Sequence, residues 1–188
     1  MISEPITVIL VDDHPVVRAG YRRLLESTSD IRVVAEAGDG ETGCLLYHEH
    51  KPNVLILDLN MAGIGGLEVI RRIKAGDDEA CILVFSMLDS ETMVQHALRI
   101  GATGYITKQC GVKQMIQAVR LVRQGKVYID PKLASNIVVS LSLNNSREDP
   151  LSVLTDREFQ IFKLMADGNS SAQIAEMINI SPKTVGVH

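Results

Sequence analysis

Cysteine is scarce in this chain. Its three cysteines, Cys44, Cys81 and Cys110, stand far apart and are odd in number. They make neither a disulfide framework nor a metal cluster, and they fit a reducing, cytoplasmic setting. Positive charge is not in excess: 19 Lys+Arg face 23 Asp+Glu, a formal net charge of -4. That balance argues against a generic electrostatic nucleic-acid binder and leaves room only for a local basic patch. Long apolar runs are missing as well. Runs such as Val54–Leu57 are strand-length, far below the roughly 20 residues that cross a bilayer. No basic start followed by an apolar stretch marks a secretory signal, so neither export nor a membrane partner is expected. What remains is the balance of a globular protein, 46% hydrophobic and 22% charged. The 188 residues are enough for one or two domains with a sizeable core.

Short apolar runs alternate with amphipathic stretches. Thr7–Val11, Ile31–Ala35, Val54–Leu57, Ile82–Phe85 and Gly104–Thr107 read as strands. Between and after them, Val16–Leu25, Glu41–His50, Leu67–Lys74, Glu91–Ile100 and Val112–Gln124 read as helices. Continuous apolar strands separated by helices predict an α/β domain, a doubly wound five-stranded parallel sheet covered on both faces, over residues 1–124. After Gly125 the rhythm breaks. Residues 125–150 read as a linker containing one helix, Lys132–Leu143, and a polar, turn-rich stretch, Asn144–Pro150. Residues 151–188 predict a small all-α domain. Thr155-Asp156-Arg157-Glu158 is a capping box opening a helix that stops at Gly168. Ser171–Ile178 is a second short helix, and Pro182 sits in the first turn of a third. Two short helices around a tight turn resemble a helix-turn-helix. Ile161, Leu164, Ile174, Met177, Ile178 and Val185 are its expected core.

The polar residues fall at the carboxyl ends of the strands, where open parallel sheets bind ligands. Asp12-Asp13 follow the first strand, Asp58 the third, Ser86 the fourth and Lys108 the fifth. Any one of these alone reads as a solvated turn residue; the set at successive strand ends predicts one crevice. Several carboxylates together repel unless a cation neutralises them, and oxygen-only ligands point to Mg²⁺. One carboxylate can instead attack phosphorus, with the Lys108 ammonium spreading the charge of the transferred group. Nucleotide motifs do not compete with this reading. Gly63-Ile64-Gly65-Gly66 is followed by Glu68 where a dinucleotide fingerprint needs glycine, and no Gly-x-x-x-x-Gly-Lys-Ser/Thr phosphate loop exists.

Leu10-Val11-Asp12-Asp13-His14, Leu57-Asp58-Leu59-Asn60-Met61, Phe85-Ser86 and Tyr105-Ile106-Thr107-Lys108 resemble the receiver domain of two-component response regulators. With Leu154–His188 the resemblance extends to the NarL/FixJ type, a receiver joined to a LuxR-type helix-turn-helix. It implies that Asp58 accepts a phosphoryl group from a sensor histidine kinase. It further implies Mg²⁺ held by Asp13, Asp58 and the main-chain carbonyl of Asn60, with Asp12 acting through water. Ser86 and Lys108 would bind the phosphoryl oxygens. Tyr105 would be the aromatic switch, although a packing role would use the same ring. Ala62 and Gln109 depart from the family, which usually has proline at both places; neither change removes a reacting group.

The resemblance puts a DNA-reading helix at Pro182 onward, with Lys183, Thr184 and His188 as contact residues. Its neighbour Gly186 stands where a base-reading side chain is common, and residues 151–188 hold three Lys/Arg against four Asp/Glu. Since phosphate neutralisation dominates DNA affinity, the chain ending at His188 is expected to bind promoter DNA poorly, and a longer form to bind as a homodimer. The leading expectation is a phosphorylation-activated transcription regulator, not an enzyme. The alternative is a receiver protein that acts through protein contacts or as a phosphate sink. A metal-dependent phosphatase would keep the acids, but the motif order matches receivers and no cap domain is present.

Overall fold

The computed structural model describes residues 4–135, 137, 161, 162, 164, 165 and 168–177, the last two of these in backbone only. Two compact units divide the chain, Met1–Leu143 and Asn144–His188. The first is an α/β unit. Six strands, β1 (Ile6–Val11), β2 (Ile31–Ala37), β3 (Val54–Leu57), β4 (Ile82–Ser86), β5 (Gly104–Thr107) and β6 (Tyr128–Ile129), form one sheet in the order β2-β1-β3-β4-β5-β6. All neighbouring pairs are parallel. Five helices join them: α1 (Pro15–Leu25), α2 (Gly40–His50), α3 (Gly66–Gly76), α4 (Glu91–Arg99) and α5 (Val112–Arg123).

The strands run apolar from end to end because both sheet faces are covered. Val8, Leu10, Val54, Ile56, Leu83, Phe85 and Ile106 pack with Leu25 of α1 and Met115, Ala118, Val119 and Val122 of α5. The alternate residues Ile9, Val11, Leu55, Leu57, Ile82, Val84 and Tyr105 are equally buried and face the other way by the two-residue period of a strand. On that side α2 comes so close to Val11 that a Cβ at Gly43 would stand 3.0 Å from the valine side chain. Each such Leu or Ile contributes about 1.5–3 kcal/mol on burial, which makes β3 and β4 the rigid centre that carries the site.

The sheet holds one strand more than the five expected. β6 is only two residues long and lies just before Pro131, so it has no sequence pattern of its own. It forms because β5 would otherwise present an open edge: Tyr128 N–H donates to Thr103 O (3.2 Å) and Asp130 N–H to Tyr105 O (2.9 Å). Residues 131–135 then turn helical, with Asp130 Oδ1 accepting from Lys132 N–H at 3.0 Å.

In the second unit, α6 (Ser171–Met177) opens with a capping box: Gln173 N–H donates to Ser170 Oγ, and Ser170 N–H to Gln173 Oε1 at 2.9 Å. Ahead of it, Gly168 N–H donates to Met165 O at 2.9 Å, and the Gly168 φ of +85° is the left-handed conformation that glycine tolerates. Ile161, Ile174 and Ala175 are buried together with Leu164 against them. The Thr155–Glu158 capping box, the Asn144–Pro150 stretch, Ile178 and Val185 lie outside the described residues, as does the Met177 side chain. Among the described residues no helix is long and apolar enough to cross a membrane.

Candidate functional site at the carboxyl ends of the strands

The chain runs from β1 outward to β2 and then returns to the other side of β1 as β3. The switch in direction therefore lies between β1 and β3, and it opens a crevice beyond their carboxyl ends. Val11 and Leu57 are register partners, so the residues that follow them, Asp12 and Asp58, emerge side by side. Asp58 N–H donates to Val11 O at 2.8 Å, and Asp12 N–H to Ala37 O at 3.1 Å. Ser86 and Thr107 are likewise partners, and Lys108 N–H donates to Ser86 O at 2.9 Å. Hydrogen bonding of the sheet thus delivers all four residues to one edge.

Lys108 bridges the acids. Its Nζ donates to Asp58 Oδ2 at 2.6 Å and lies 2.6 Å from Asp12 Oδ2, the latter without hydrogen-bond alignment. The three side chains are almost wholly buried. Burial raises the Asp58 carboxyl above the ordinary carboxylate value, against the opposing pull of Lys108. Burial works against the Lys108 charge too, but its contacts with Asp12 and Asp58 outweigh that and hold its pKa above the ordinary lysine value. Asn60 N–H donates to the other Asp58 oxygen, Oδ1, at 3.2 Å.

Asp13 and His14 complete the mouth. His14 N–H donates to Asp12 Oδ1 at 2.9 Å, and its Nδ1 lies 2.7 Å from Asp13 Oδ1. One ligand atom each of Asp12, Asp13, His14 and Asp58 can be chosen so that all lie within 4.8 Å of one another. Asp12 Oδ2 and Asp13 Oδ1 are buried oxygens that accept no hydrogen bond. Lys108 Nζ stands near the first and His14 Nδ1 near the second without an aligned hydrogen bond, and a compact group of carboxylate oxygens of this kind suits a hard divalent cation. His14 belongs to the sequence motif but carries no expected role there. Its place over the two acids follows from its capping α1, a position that spacing alone does not reveal.

Ser86 and Tyr105 meet at a third residue. Ser86 Oγ accepts from Leu88 N–H (3.3 Å), and the Tyr105 hydroxyl donates to Leu88 O (2.7 Å). Both side chains are fully buried, and burial raises the Tyr105 pKa further above its ordinary value. The loop after β4 is thereby tied to β5 through one backbone residue.

Gly66 is a site residue that sequence reasoning set aside with its glycine cluster. A Cβ there would collide with Asp58 O and stand 2.7 Å from Leu59 Cα. Only glycine lets α3 begin against the main chain of Asp58. The run Gly65-Gly66 ahead of an apolar helix was the available signal. Lys183, Thr184 and His188 lie outside the described residues.

Comparisons with known proteins bear on this geometry. The response regulator receiver domain family matches residues 8–120, and the luxR family of bacterial regulatory proteins matches residues 152–188. The oxygen regulatory protein NreC of Staphylococcus carnosus is 39% identical over 187 residues, 96% of this chain and 86% of that protein. The crystal structure of a LuxR-family two-component response regulator from Aurantimonas sp. SI85-9A1 is 37% identical with a TM-score of 0.72, covering 74% of this chain and 99% of that one. RcsB from Salmonella enterica serovar Typhimurium, bound to promoter rprA with the phosphomimetic BeF3-, is 25% identical with a TM-score of 0.68, covering 98% of this chain and 88% of that one. The chain belongs to the two-component response regulators that join a receiver domain to a LuxR-type helix-turn-helix and control transcription.

Proposed function

We propose that Asp58 is the phosphoacceptor and that its modification controls DNA binding by residues 151–188. The observation that carries this reading is the buried Asp58 carboxylate, paired with Lys108 at 2.6 Å and flanked by the two further acids Asp12 and Asp13. A carboxylate oxygen of Asp58 attacks the phosphorus of a phosphohistidine on a sensor histidine kinase. The P–O bond forms, the P–N bond breaks, and the departing imidazole takes up a proton. Mg²⁺, when bound, neutralises charge on the acids and on the transferred group. Asp13, Asp58 and the main-chain carbonyl of Asn60 would hold it, with Asp12 supporting through water.

Lys108 loses its contact with a free Asp58 carboxylate on modification and gains the phosphoryl oxygens. The Ser86 hydroxyl donates to a second phosphoryl oxygen. That movement draws on Leu88, which Tyr105 also holds, so the loop after β4 and the Tyr105 ring change together. The output is promoter recognition by Lys183, Thr184 and His188 in a form that pairs as a homodimer; the promoter-bound RcsB neighbour supports the promoter part of this reading. We assign the protein to the cytoplasm, a reading supported by the kinase and promoter partners proposed for it.

The test is spectroscopic. Beryllofluoride with Mg²⁺, added to isotopically labelled protein, is expected to shift the resonances of Asp58, Ser86, Leu88, Tyr105 and Lys108 together. A spectrum that leaves these five unmoved contradicts the reading.

A further inference from the structure

Arg18 stands apart from the acidic and phosphoryl-binding residues, yet its guanidinium reaches the acidic turn. It lies one turn into α1, four residues after His14, and its own N–H donates to His14 O at 3.1 Å. Helical side chains lean toward the N-terminus of their helix, and Arg18 does so until Nη1 donates to the main-chain carbonyl of Asp12. Its Nε lies 3.7 Å from Glu36 Oε2, and the side chain is only 19% exposed. Glu36 also accepts from Arg22 Nη1 at 2.7 Å, and Arg22 reaches Glu26 as well.

These contacts hold the two peptide groups that flank the Asp12 Cα. The amide of Asp12 is engaged by Ala37 of β2, and its carbonyl by Arg18. Because the peptide unit is planar, fixing the Asp12 carbonyl fixes the plane from which Asp13 departs. Asp13 Oδ1 accepts no aligned hydrogen bond; its near neighbour is the exposed His14 ring, Nδ1 at 2.7 Å on the same turn, so the direction of Asp13 follows the main chain. A guanidinium beside a cation pocket would by itself repel the cation. Glu36 offsets that charge, which leaves orientation as the effect of Arg18 on the pocket.

We propose that Arg18 is a positioning residue for phosphoryl transfer: by holding the Asp12 carbonyl it aims Asp13 and so sets the divalent-cation affinity of the pocket. This rests on the phosphoacceptor reading of Asp58.

The experiment is a titration of the full chain with Mn²⁺ alone, following free Mn²⁺ by its paramagnetic resonance signal. Arg18→Met is expected to bind about tenfold more weakly or worse, the size of effect seen when groups behind metal ligands are removed. Arg18→Lys, which keeps a cationic donor, recovers part of the loss. Arg22→Met loses contacts with Glu36 and Glu26 but none with the turn, and keeps the parent affinity. A merely structural Arg18 would lower the melting temperature while leaving the Mn²⁺ affinity of folded Arg18→Met equal to the parent's, and that result overturns the proposal. Should Arg18→Met fail to fold, Arg18→Gln takes its place and must show the same loss. Labelling of the parent by acetyl phosphate runs alongside. An unlabelled Asp58 sinks the phosphoacceptor reading, whereas a labelled Asp58 with unchanged affinity in the Arg18 variant sinks the Arg18 proposal alone.

Discussion

Lys108 Nζ stands 2.6 Å from Asp58 Oδ2, so the most buried carboxylate of the pocket already has a counter-charge in reach. The pair joins residues fifty positions apart through the ends of β3 and β5, with β4 between them. Its cost and its use are linked. Burial that makes Asp58 expensive to ionise is the same dry setting in which an ammonium stabilises a transferred phosphoryl group.

Asp58→Asn is expected to stabilise the fold at neutral pH. Burial raises the Asp58 pKa in the folded state. A carboxyl that holds its proton more tightly when folded adds stability below its unfolded pKa of about 3.9, and that stability is lost as pH rises through the folded value. The neutral Asn has no such loss. Thermal unfolding in EDTA between pH 4 and 8 should show the variant melting above the parent at pH 7, with the gap closing toward pH 4. A variant that melts below the parent at pH 7 contradicts the sign.

Gly66→Ala tests the contact of α3 with the phosphoacceptor strand. The added Cβ meets backbone at Asp58 and Leu59, which cannot rotate away. Overpacking of this kind costs about 1–3 kcal/mol, and here the displaced atoms carry Asp58. Urea unfolding should show that loss, together with slower labelling by a small phosphodonor. Unchanged stability and labelling would mean that α3 does not seat against Asp58.

Cys110 should resist alkylation. Burial, followed by the negative charge of Asp130, pushes its thiol up to about 11. The thiolate is the reactive form. Iodoacetamide mapping at pH 8.5 should modify Cys110 far more slowly than a free cysteine, with the rate climbing steeply toward pH 11. Rapid modification at pH 8.5 would show an exposed or activated thiol instead.

Much of this arrangement was readable from sequence because the sheet is regular. Asp12, Asp58, Ser86 and Lys108 lie at or just beyond strand ends, and parallel register carries strand ends to one edge. What was not readable depends on reach across a turn or on close approach of main chain. β6 has two residues and no periodicity. Arg18 acts through a main-chain carbonyl, which leaves no residue-type signature. Gly66 sat inside a glycine cluster judged only against nucleotide loops, although its role is to let a helix touch the residue beside Asp58.

Phosphoryl transfer to Asp58 is the central claim, and one measurement addresses it directly. The protein is incubated with acetyl phosphate and Mg²⁺, the modified residue is trapped by borohydride reduction, and its position is read by peptide mass spectrometry. A single modification at Asp58, abolished in Asp58→Asn and by EDTA, is the expected result. A modification that persists in Asp58→Asn, or that maps to another residue in the parent, would contradict it.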